Sequence, residues 1–185
     1  MDFETEHIYH VFNRGNNREM IFYEEYNYQF FIEKIRSFIA PYADILAWCL
    51  MPNHFHLMII VNRLIVNNVS INDSIGRMLS SYTRAINNQE GRTGSLFQKK
   101  TKAVCLTKNF GITPAWYKQN GVTIIFTKIP DWEYPNVCMS YIHSNPVKDG
   151  LVERPENWEY SSFKEYISSK SSTLINKSIG SQYFI

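Results

Sequence analysis

The stretch "LMPNHFHLMIIV", residues 50–61, is the most informative part of this sequence for the fold. Two apolar runs flank the Met-Pro-Asn at 51–53, and proline and asparagine are residues that favour tight turns. The pattern predicts a β-hairpin over residues 44–61, with one strand on each side of the turn.

The second strand of this hairpin carries two histidines, and a polar ring in a core is costly unless it has a partner. Side chains alternate along a strand, so His54 and His56 project from the same face, with Cα atoms about 6.5–7 Å apart. Phe55 points the other way, into the core. The two imidazoles can therefore converge on one cation, although two structural or exposed histidines would show the same spacing.

Two histidines alone do not define a metal. Zinc needs three or four protein ligands, commonly with further histidine or cysteine, and the sequence has no Cys-x-x-Cys pair of the finger type. Two imidazoles with an oxygen donor and open positions also accept Mg²⁺ or Mn²⁺.

Apolar spacing and turn signals divide the first 106 residues into six elements. They are strand 7–15, helix 24–40, strand 44–51, strand 54–61, helix 71–91 and strand 99–106. The second helix has a candidate N-cap at Asn72 or Asp73 and a glycine stop at Gly91. The order predicts an α+β, ferredoxin-like (β-α-β-β-α-β) antiparallel sheet with helices on one face.

The C-terminal part is less regular. We expect a single domain over residues 1–167 and a polar, loose tail at 168–185. Residues 107–133 contain the β-rich run "VTIIFTKI" between turn signals, which predicts an inserted hairpin or an extended link. The next segment, 134–144, predicts a helix that ends before Pro146.

The composition excludes several classes of protein. A chain of 185 residues with 44 % hydrophobic content can bury a core and is not a disordered polymer. Its apolar runs are shorter than the roughly 18–20 residues of a membrane span, and the N-terminus lacks the apolar region of a secretory signal. The odd number of widely spaced cysteines indicates reduced thiols at Cys49, Cys105 and Cys138. We expect a cytoplasmic protein with no membrane partner.

Positive charge is concentrated in one segment. The net charge is only +2, yet residues 77–108 hold seven basic side chains against one acid, Glu90, a local balance of +6. Such a segment favours a polyanion as partner. A solvated, lysine-rich face without a partner would have the same composition.

A candidate nucleophile lies in "SYIHSNPVKDGLV", residues 140–152. Tyr141 and Asn145 are four residues apart and would share one side of a helix, where they offer a phenol and an amide oxygen. Tyr141 could equally be a core aromatic, because the chain has 12 tyrosines. Tyr82 is a rival nucleophile on the preceding helix, but it has no polar residue four positions later.

Four segments together carry a resemblance to a known family. They are "HVFNRGNNR", "WCLMPNHFHLMI", "RTGSLFQKKTKA" and "YIHSNPVKDGLV" with the later "WEYSSFKEY". The chain resembles the IS200-like transposases, and within them the REP-associated tyrosine transposases, over about residues 7–166 with a gap near 107–133. The resemblance implies an HUH endonuclease fold, with His-x-His on a central strand and a tyrosine-bearing helix toward the C-terminus.

The resemblance also implies roles for individual residues. His54 and His56 match metal ligands, Asn145 matches the position of a third ligand, and Tyr141 matches the nucleophile that forms a 5′-phosphotyrosine link. Members of the family cut and rejoin single-stranded DNA near palindromic hairpins with Mg²⁺ or Mn²⁺. A homodimer is among the oligomeric states open to such a protein.

Residue chemistry adds candidate DNA contacts at two places in the chain. Polar and basic residues leave the first predicted strand at a turn, and others cluster in the basic segment, where they would neutralise phosphates. The six candidates are Asn13, Arg14, Arg92, Lys99, Lys100 and Lys102. Phe97 and Tyr82 could stack on bases or simply pack in the core.

Three functions fit these features. The leading hypothesis is a metal-dependent tyrosine transposase that nicks and joins single-stranded DNA. A non-catalytic module that binds single-stranded nucleic acid with a ferredoxin-like sheet explains the basic segment and makes the histidines structural. A metal-dependent small-molecule hydrolase explains the histidines but leaves the basic segment without a role.

Overall fold

The hairpin predicted from residues 44–61 lies inside a four-stranded antiparallel sheet. The structure is a computed structural model that describes residues 1–108, 116–119, 122–125, 134–168 and 174–184. In chain order the elements are β1 (Ile8–Arg14), α1 (Glu25–Phe38), β2 (Ala43–Met51), β3 (His54–Val61), β4 (Ile65–Val66), β5 (Val69–Ser70), α2 (Ile71–Gln89), β6 (Lys102–Cys105), β7 (Trp116–Gln119), β8 (Val122–Ile125), α3 (Tyr134–Lys148), α4 (Phe163–Ile167) and α5 (Lys177–Gly180).

The sheet has the strand order β2-β3-β1-β6, and its three pairings are all antiparallel. This order confirms the predicted ferredoxin-like sheet. The register of β3 sets the site, because His54 lies opposite Arg14 of β1 and His56 lies opposite Phe12. Partners across an antiparallel pair share a face, so these side chains project together.

Helices α1 and α2 cover the sheet face to which Phe55 belongs. Phe55 packs on Phe31 of α1 with ring centroids 5.1 Å apart, and Phe31 packs on Tyr82 of α2 at 4.8 Å. Phe97 completes this aromatic group and is also buried. Burial of these rings on one face leaves the histidines on the other.

The cap predicted for α2 is wrong by two or three residues. Ser70 is the N-cap, and its hydroxyl accepts a hydrogen bond from the Asp73 backbone N–H at 3.1 Å. The same hydroxyl donates to the Asp73 carboxylate, so serine and aspartate satisfy the first turn together. The helix ends at Gln89, and Gly91 follows with a positive φ of 60°, as its glycine predicts.

Helix α3 packs on β2 and β3 from the histidine face. The prediction that this helix ends before Pro146 is wrong, because it continues to Lys148. Proline has no N–H to offer the Ile142 carbonyl. The Asn145 side chain compensates, since its amide donates to the Tyr141 carbonyl at 2.8 Å and reaches the Ile142 carbonyl at 3.5 Å.

The predicted insertion at 107–133 is described only in part. Strands β7 and β8 pair antiparallel, with Trp116 opposite Ile125, which agrees with a hairpin. Strand β6 is shorter than the predicted strand 99–106. The remainder of the predicted insertion, 109–115, 120–121 and 126–133, lies outside the described residues.

The expectation of a loose C-terminal tail is wrong for residues 174–184. Ile175 is buried, and the Asn176 N–H donates to the Ile45 carbonyl of β2 at 2.8 Å. The Phe184 ring stacks on Tyr166 with centroids 4.6 Å apart. These apolar side chains anchor the segment to the edge of the sheet, while the domain boundary at 167 stays a prediction.

Two further sequence expectations can be compared with the described part of the chain. There, no helix is long and apolar enough to cross a membrane. All three cysteines are free thiols, and Cys49 and Cys138 are buried.

A pair of glycine substitutions tests the packing of the C-terminal segment. Gly180→Ala would place a Cβ against the Tyr166 hydroxyl and 3.2 Å from the Leu46 carbonyl oxygen. We expect it to lower the free energy of unfolding in urea by about 1–3 kcal/mol. Gly76→Ala is the control, because its Cβ meets nothing within 4 Å inside α2, and should raise stability by about 0.5–1 kcal/mol. An unchanged Gly180→Ala protein contradicts the packed segment.

Candidate active site

The two histidines of β3 form a close, buried pair. The His54 and His56 rings have centroids 4.9 Å apart and stand nearly perpendicular, at 88°. Their residues are only 8 % and 4 % exposed. Burial lowers the pKa of His54 to about 4 and the pKa of His56 well below its usual value. Both imidazoles are therefore neutral at pH 7, which is the form that binds a metal.

Each of these rings has a partner at Nδ1. The His54 Nδ1 lies 2.5 Å from the Asn53 side-chain oxygen, and the His56 Nδ1 lies 2.8 Å from Nε2 of His10. The His56 Nε2 is buried and, among the described residues, has no hydrogen-bond partner. A buried nitrogen without a partner is costly, so this atom is a candidate ligand for a cation.

His10 belongs to the site, and the sequence analysis missed it. It lies on β1, and its ring stacks on His56 with centroids 5.0 Å apart and on Phe12 at 4.6 Å. The alternation of β1 puts His10, Phe12 and Arg14 on one face. That pattern is visible in the sequence, but it points to the site only once β1 is known to pair with β3.

Helix α3 brings Tyr141 to the histidines. The Tyr141 ring meets His56 edge to face, with centroids 5.5 Å apart and planes at 82°, and meets His10 at 6.0 Å. Tyr141 is 39 % exposed, so its side chain is in contact with both the site and solvent. A phenol about eighty residues from the hairpin in the chain thus lies beside it in space.

Opposing influences act on the Tyr141 hydroxyl. Burial raises the pKa of Tyr141, and nearby Cys138 and Asp149 raise it further. The Asn145 side chain and the positive charge of Arg14 lower it. The Lys148 ammonium also lies over the ring, 4.8 Å from its centroid. Two cations, Arg14 and Lys148, therefore lie near a phenol that burial keeps protonated.

Asn145 follows Tyr141 by one helical turn and is only 6 % exposed. Its amide nitrogen donates to the Tyr141 carbonyl, which leaves the amide oxygen as the group with ligand character. Across the described residues, no three side chains drawn from histidine, cysteine, aspartate and glutamate are arranged to hold a metal. An amide ligand falls outside that set, and the role of Asn145 as a ligand stays a prediction.

Two other polar residues, the rival Tyr82 and His143 of the segment 140–152, have structural roles away from the histidine pair. Tyr82 is fully buried among aromatic rings on the opposite face, and its hydroxyl donates to the Ile21 carbonyl at 2.8 Å. This position excludes it as the rival nucleophile at the histidine pair. His143 points away from the site, with its Nε2 at 2.8 Å from the Ser162 hydroxyl and its ring against Phe163.

Comparison with known proteins identifies the family. The profile described as "Transposase IS200 like" matches residues 4–112, which is more than half of the chain. The chain belongs to the IS200-like transposase family. A search of curated proteins gave no match.

A solved structure supports the fold of this transposase. It is described as the structure of the REP-associated tyrosine transposase bound to a REP hairpin. The TM-score is 0.58 at 16 % identity, and the match covers 94 % of this chain and 87 % of the other. At this identity the match shows a shared fold, and with the family profile it confirms the resemblance inferred from the motifs.

The candidate DNA contacts of this transposase differ in how exposed they are and in whether they are already hydrogen-bonded within the protein. Arg14 is exposed beside His54. Asn13 is buried, and its amide donates to the Gln98 carbonyl at 3.1 Å and to the Thr101 hydroxyl at 2.9 Å. Its oxygen accepts from the Arg14 N–H, so Asn13 joins β1 to the segment before β6 and has little capacity for a ligand.

The basic segment does not form one surface. Lys99, Lys100 and Lys102 are exposed at or just before β6, and the Lys102 ammonium lies 5.7 Å from the Phe12 ring centroid on the histidine face. Arg92 is paired at 2.6 Å with both the Glu19 carboxylate and the Tyr23 hydroxyl. Two other members of the segment, Arg77 and Arg84, are exposed on α2, which covers the opposite face of the sheet.

The buried histidines predict an acid-sensitive fold. A histidine whose pKa falls from 6.5 to about 4 on folding, as for His54 and His143, binds a proton more readily in the unfolded chain. The contribution of each ring to the free energy of unfolding is then fully present above pH 6.5 and is lost as the pH falls toward 4. The loss is about 2 kcal/mol per ring at pH 5. Urea unfolding at pH 7.5 and 5.0 measures this loss.

His143→Gln isolates one ring, because glutamine retains a group that can bond the Ser162 hydroxyl. The variant should lose about 2 kcal/mol less than wild type between pH 7.5 and pH 5. Equal losses in the two proteins contradict the neutral, buried state of His143.

Proposed function

We propose that this transposase nicks and rejoins single-stranded DNA, with Tyr141 as the nucleophile and a divalent metal as cofactor. One observation carries the proposal. The Tyr141 ring lies 5.5 Å from the ring of His56, whose buried Nε2 has no partner in the described chain. A phenol beside a pair of neutral imidazoles suits metal-assisted phosphoryl transfer better than any structural role for these groups.

The proposed step exchanges one phosphodiester for another. The Tyr141 oxygen attacks a backbone phosphorus, and the bond from phosphorus to the 3′-oxygen breaks. The proton that the phenol loses is balanced by the proton that the leaving 3′-oxygen takes up. The products are a 5′-phosphotyrosine link and a free 3′-hydroxyl. Attack by a 3′-hydroxyl on that link reverses the exchange and joins strands, so nicking and joining need no external energy source.

The residues present fit a divalent metal. His54 and His56 are neutral, and each has Nδ1 occupied by a partner, while the His56 Nε2 has none among the described residues. We infer that these two histidines, with the amide oxygen of Asn145, hold Mg²⁺ or Mn²⁺. Such an ion acts as a Lewis acid on a phosphate oxygen when it is bound.

The chain's own charges support phosphoryl transfer at Tyr141. Arg14 lowers the pKa of the Tyr141 hydroxyl, and Lys148 lies over its ring. Both cations favour a phenolate and the negative charge that gathers on a transferring phosphate. They work against burial, Cys138 and the negative charge of Asp149, all of which raise the same pKa.

The proposed substrate is a single strand with a hairpin or palindrome. The structurally similar transposase is bound to a REP hairpin, and the shared fold supports a DNA ligand of this kind here. On the histidine face, exposed Arg14 and Lys102 would neutralise phosphates near Tyr141, with Lys99 and Lys100 beside them. The homodimer expected from the sequence stays a prediction.

A non-catalytic module is the second candidate function. Phe12, Lys102 and the 40 % exposed Val104 lie on the same uncovered part of the sheet, which suits stacking and backbone contacts without chemistry. Under this alternative, Tyr141 borders the binding surface, and its raised pKa keeps the phenol protonated and unreactive.

A covalent adduct assay separates the two functions. We expect wild-type protein, Mn²⁺ and an end-labelled hairpin oligonucleotide to give a denaturation-resistant protein–DNA adduct. Tyr141→Phe should give none, because it removes only the attacking oxygen, and EDTA should abolish the wild-type adduct.

Tyr82→Phe is the matched control for the nucleophile. It should retain the adduct, at a cost of about 1 kcal/mol in stability from the lost bond to the Ile21 carbonyl. An adduct formed by Tyr141→Phe rules out the assigned nucleophile. Salt-sensitive binding by a wild-type protein that forms no adduct favours the module.

Paired arginine variants test the DNA-binding face. Arg14→Gln should weaken binding of a hairpin oligonucleotide several-fold and reduce the slope of log K against log salt by about 0.7–1. Arg77→Gln removes the same charge from the exposed face of α2, behind the sheet, and should leave both quantities unchanged. Equal effects of the two substitutions contradict a ligand bound on the histidine face.

A further inference from the structure

We propose that His10 is a positioning residue that holds His56 in the tautomer able to bind a metal through Nε2. The inference rests on the proposed function, because it assigns His56 as a ligand. It adds a residue on another strand, His10, which begins the quoted segment "HVFNRGNNR" but was given no role in the sequence analysis. The observation behind it is the 2.8 Å contact between His10 Nε2 and His56 Nδ1.

Two neutral imidazoles can share this contact in two ways. If His10 donates from Nε2, the proton of His56 lies on its own Nε2, where it blocks a cation and has no acceptor. If His56 donates from Nδ1, its Nε2 carries a bare lone pair. The His56 Nε2 is buried without a partner in the described chain, and only the second arrangement lets a cation satisfy it.

The surroundings of His10 suit the second arrangement. When its Nε2 accepts, its proton lies on Nδ1, and His10 is partly exposed, so water can accept from that N–H. The ring is held in place by stacking on Phe12 with centroids 4.6 Å apart. Its position across β1 and β3 is set by the pairing of His10 with Met58.

The neighbouring ligand is held in the same way. The Asn53 oxygen lies 2.5 Å from Nδ1 of His54, and the Asn53 amide donates to the Arg18 carbonyl at 3.3 Å, which orients the oxygen toward the ring. An oxygen can only accept, so the proton of His54 is on Nδ1 and its Nε2 is bare. In both histidines of the pair, a hydrogen bond at Nδ1 therefore leaves Nε2 free to bind a cation. The partner at Nδ1 is the Asn53 amide oxygen for His54 and the His10 ring for His56.

The three histidines do not form a ligand set of their own. Within the described ranges no group of three histidine, cysteine, aspartate or glutamate side chains suits a metal. The Nε2 of His10 is occupied by His56 and is not available to a cation. A supporting role for His10 agrees with both facts.

The first measurement needs no variant. Nitrogen-15 NMR of the histidine rings in metal-free wild-type protein should show His56 as the Nδ1–H tautomer. An Nε2–H tautomer of His56 overturns the proposal.

The second measurement is the affinity for Mn²⁺ alone, by calorimetry on the full chain without DNA. His10→Leu removes the acceptor and should weaken Mn²⁺ binding about 10–100-fold. His10→Gln returns an acceptor near the position of Nε2 and should bind within about threefold of wild type. His7→Leu is the control, because His7 bonds Thr107 at the surface, and should be unchanged.

The outcomes separate this inference from the proposed function. If His10→Leu binds Mn²⁺ as tightly as wild type while retaining its urea midpoint, the role of His10 fails even when the adduct assay succeeds. If Mn²⁺ binding depends on His10 but Tyr141 forms no adduct, the role of His10 stands and the nuclease fails. A wild-type protein that binds no Mn²⁺ overturns both the metal assignment and this inference.

Discussion

The antiparallel pairing of β1 with β3 is the constraint on which the site depends. It places Arg14 opposite His54 and Phe12 opposite His56, and it brings His10 to the same face. A slip of β3 by one residue would turn His54 and His56 to the other face, away from His10, Phe12 and Arg14. Phe55 prevents the slip, because it is fully buried against Phe31 and Phe97 on the opposite side.

The two faces of the sheet differ in the side chains that they bury. The face under α1 and α2 is packed with aromatic rings. The other face holds buried polar groups, which are costly unless each has a partner. His54 and His56 are bonded to Asn53 and His10. The His56 Nε2 has no partner in the part of the chain that the structure describes, and a ligand there would relieve the cost.

Helix α3 contains a proline, Pro146, and the side chain of Asn145 bonds the carbonyl that this proline leaves without a donor. Pro146 removes one backbone donor, and the Asn145 amide replaces it in part, so the helix continues past both residues. The same asparagine modulates the pKa of Tyr141 and is the proposed third ligand. Steric clash with the proline ring biases the preceding residue away from helical geometry, and that bias is overridden at Asn145, since the helix runs on to Lys148.

The sequence alone determined four features. They are the hairpin, the order of the first six strands and helices, the shared face of His54 and His56, and the link to Tyr141 through the family motifs. The first three follow from alternation, turn chemistry and helical spacing, which act between near neighbours, and the fourth follows from the family resemblance alone. Only the tertiary structure decided that His10 joins His56, that Asn13 and Arg92 are already bonded, and that Arg77 and Arg84 lie behind the sheet. Residues separated by forty or more positions meet through strand pairing and packing, and the sequence pattern does not specify the register or the side-chain contacts.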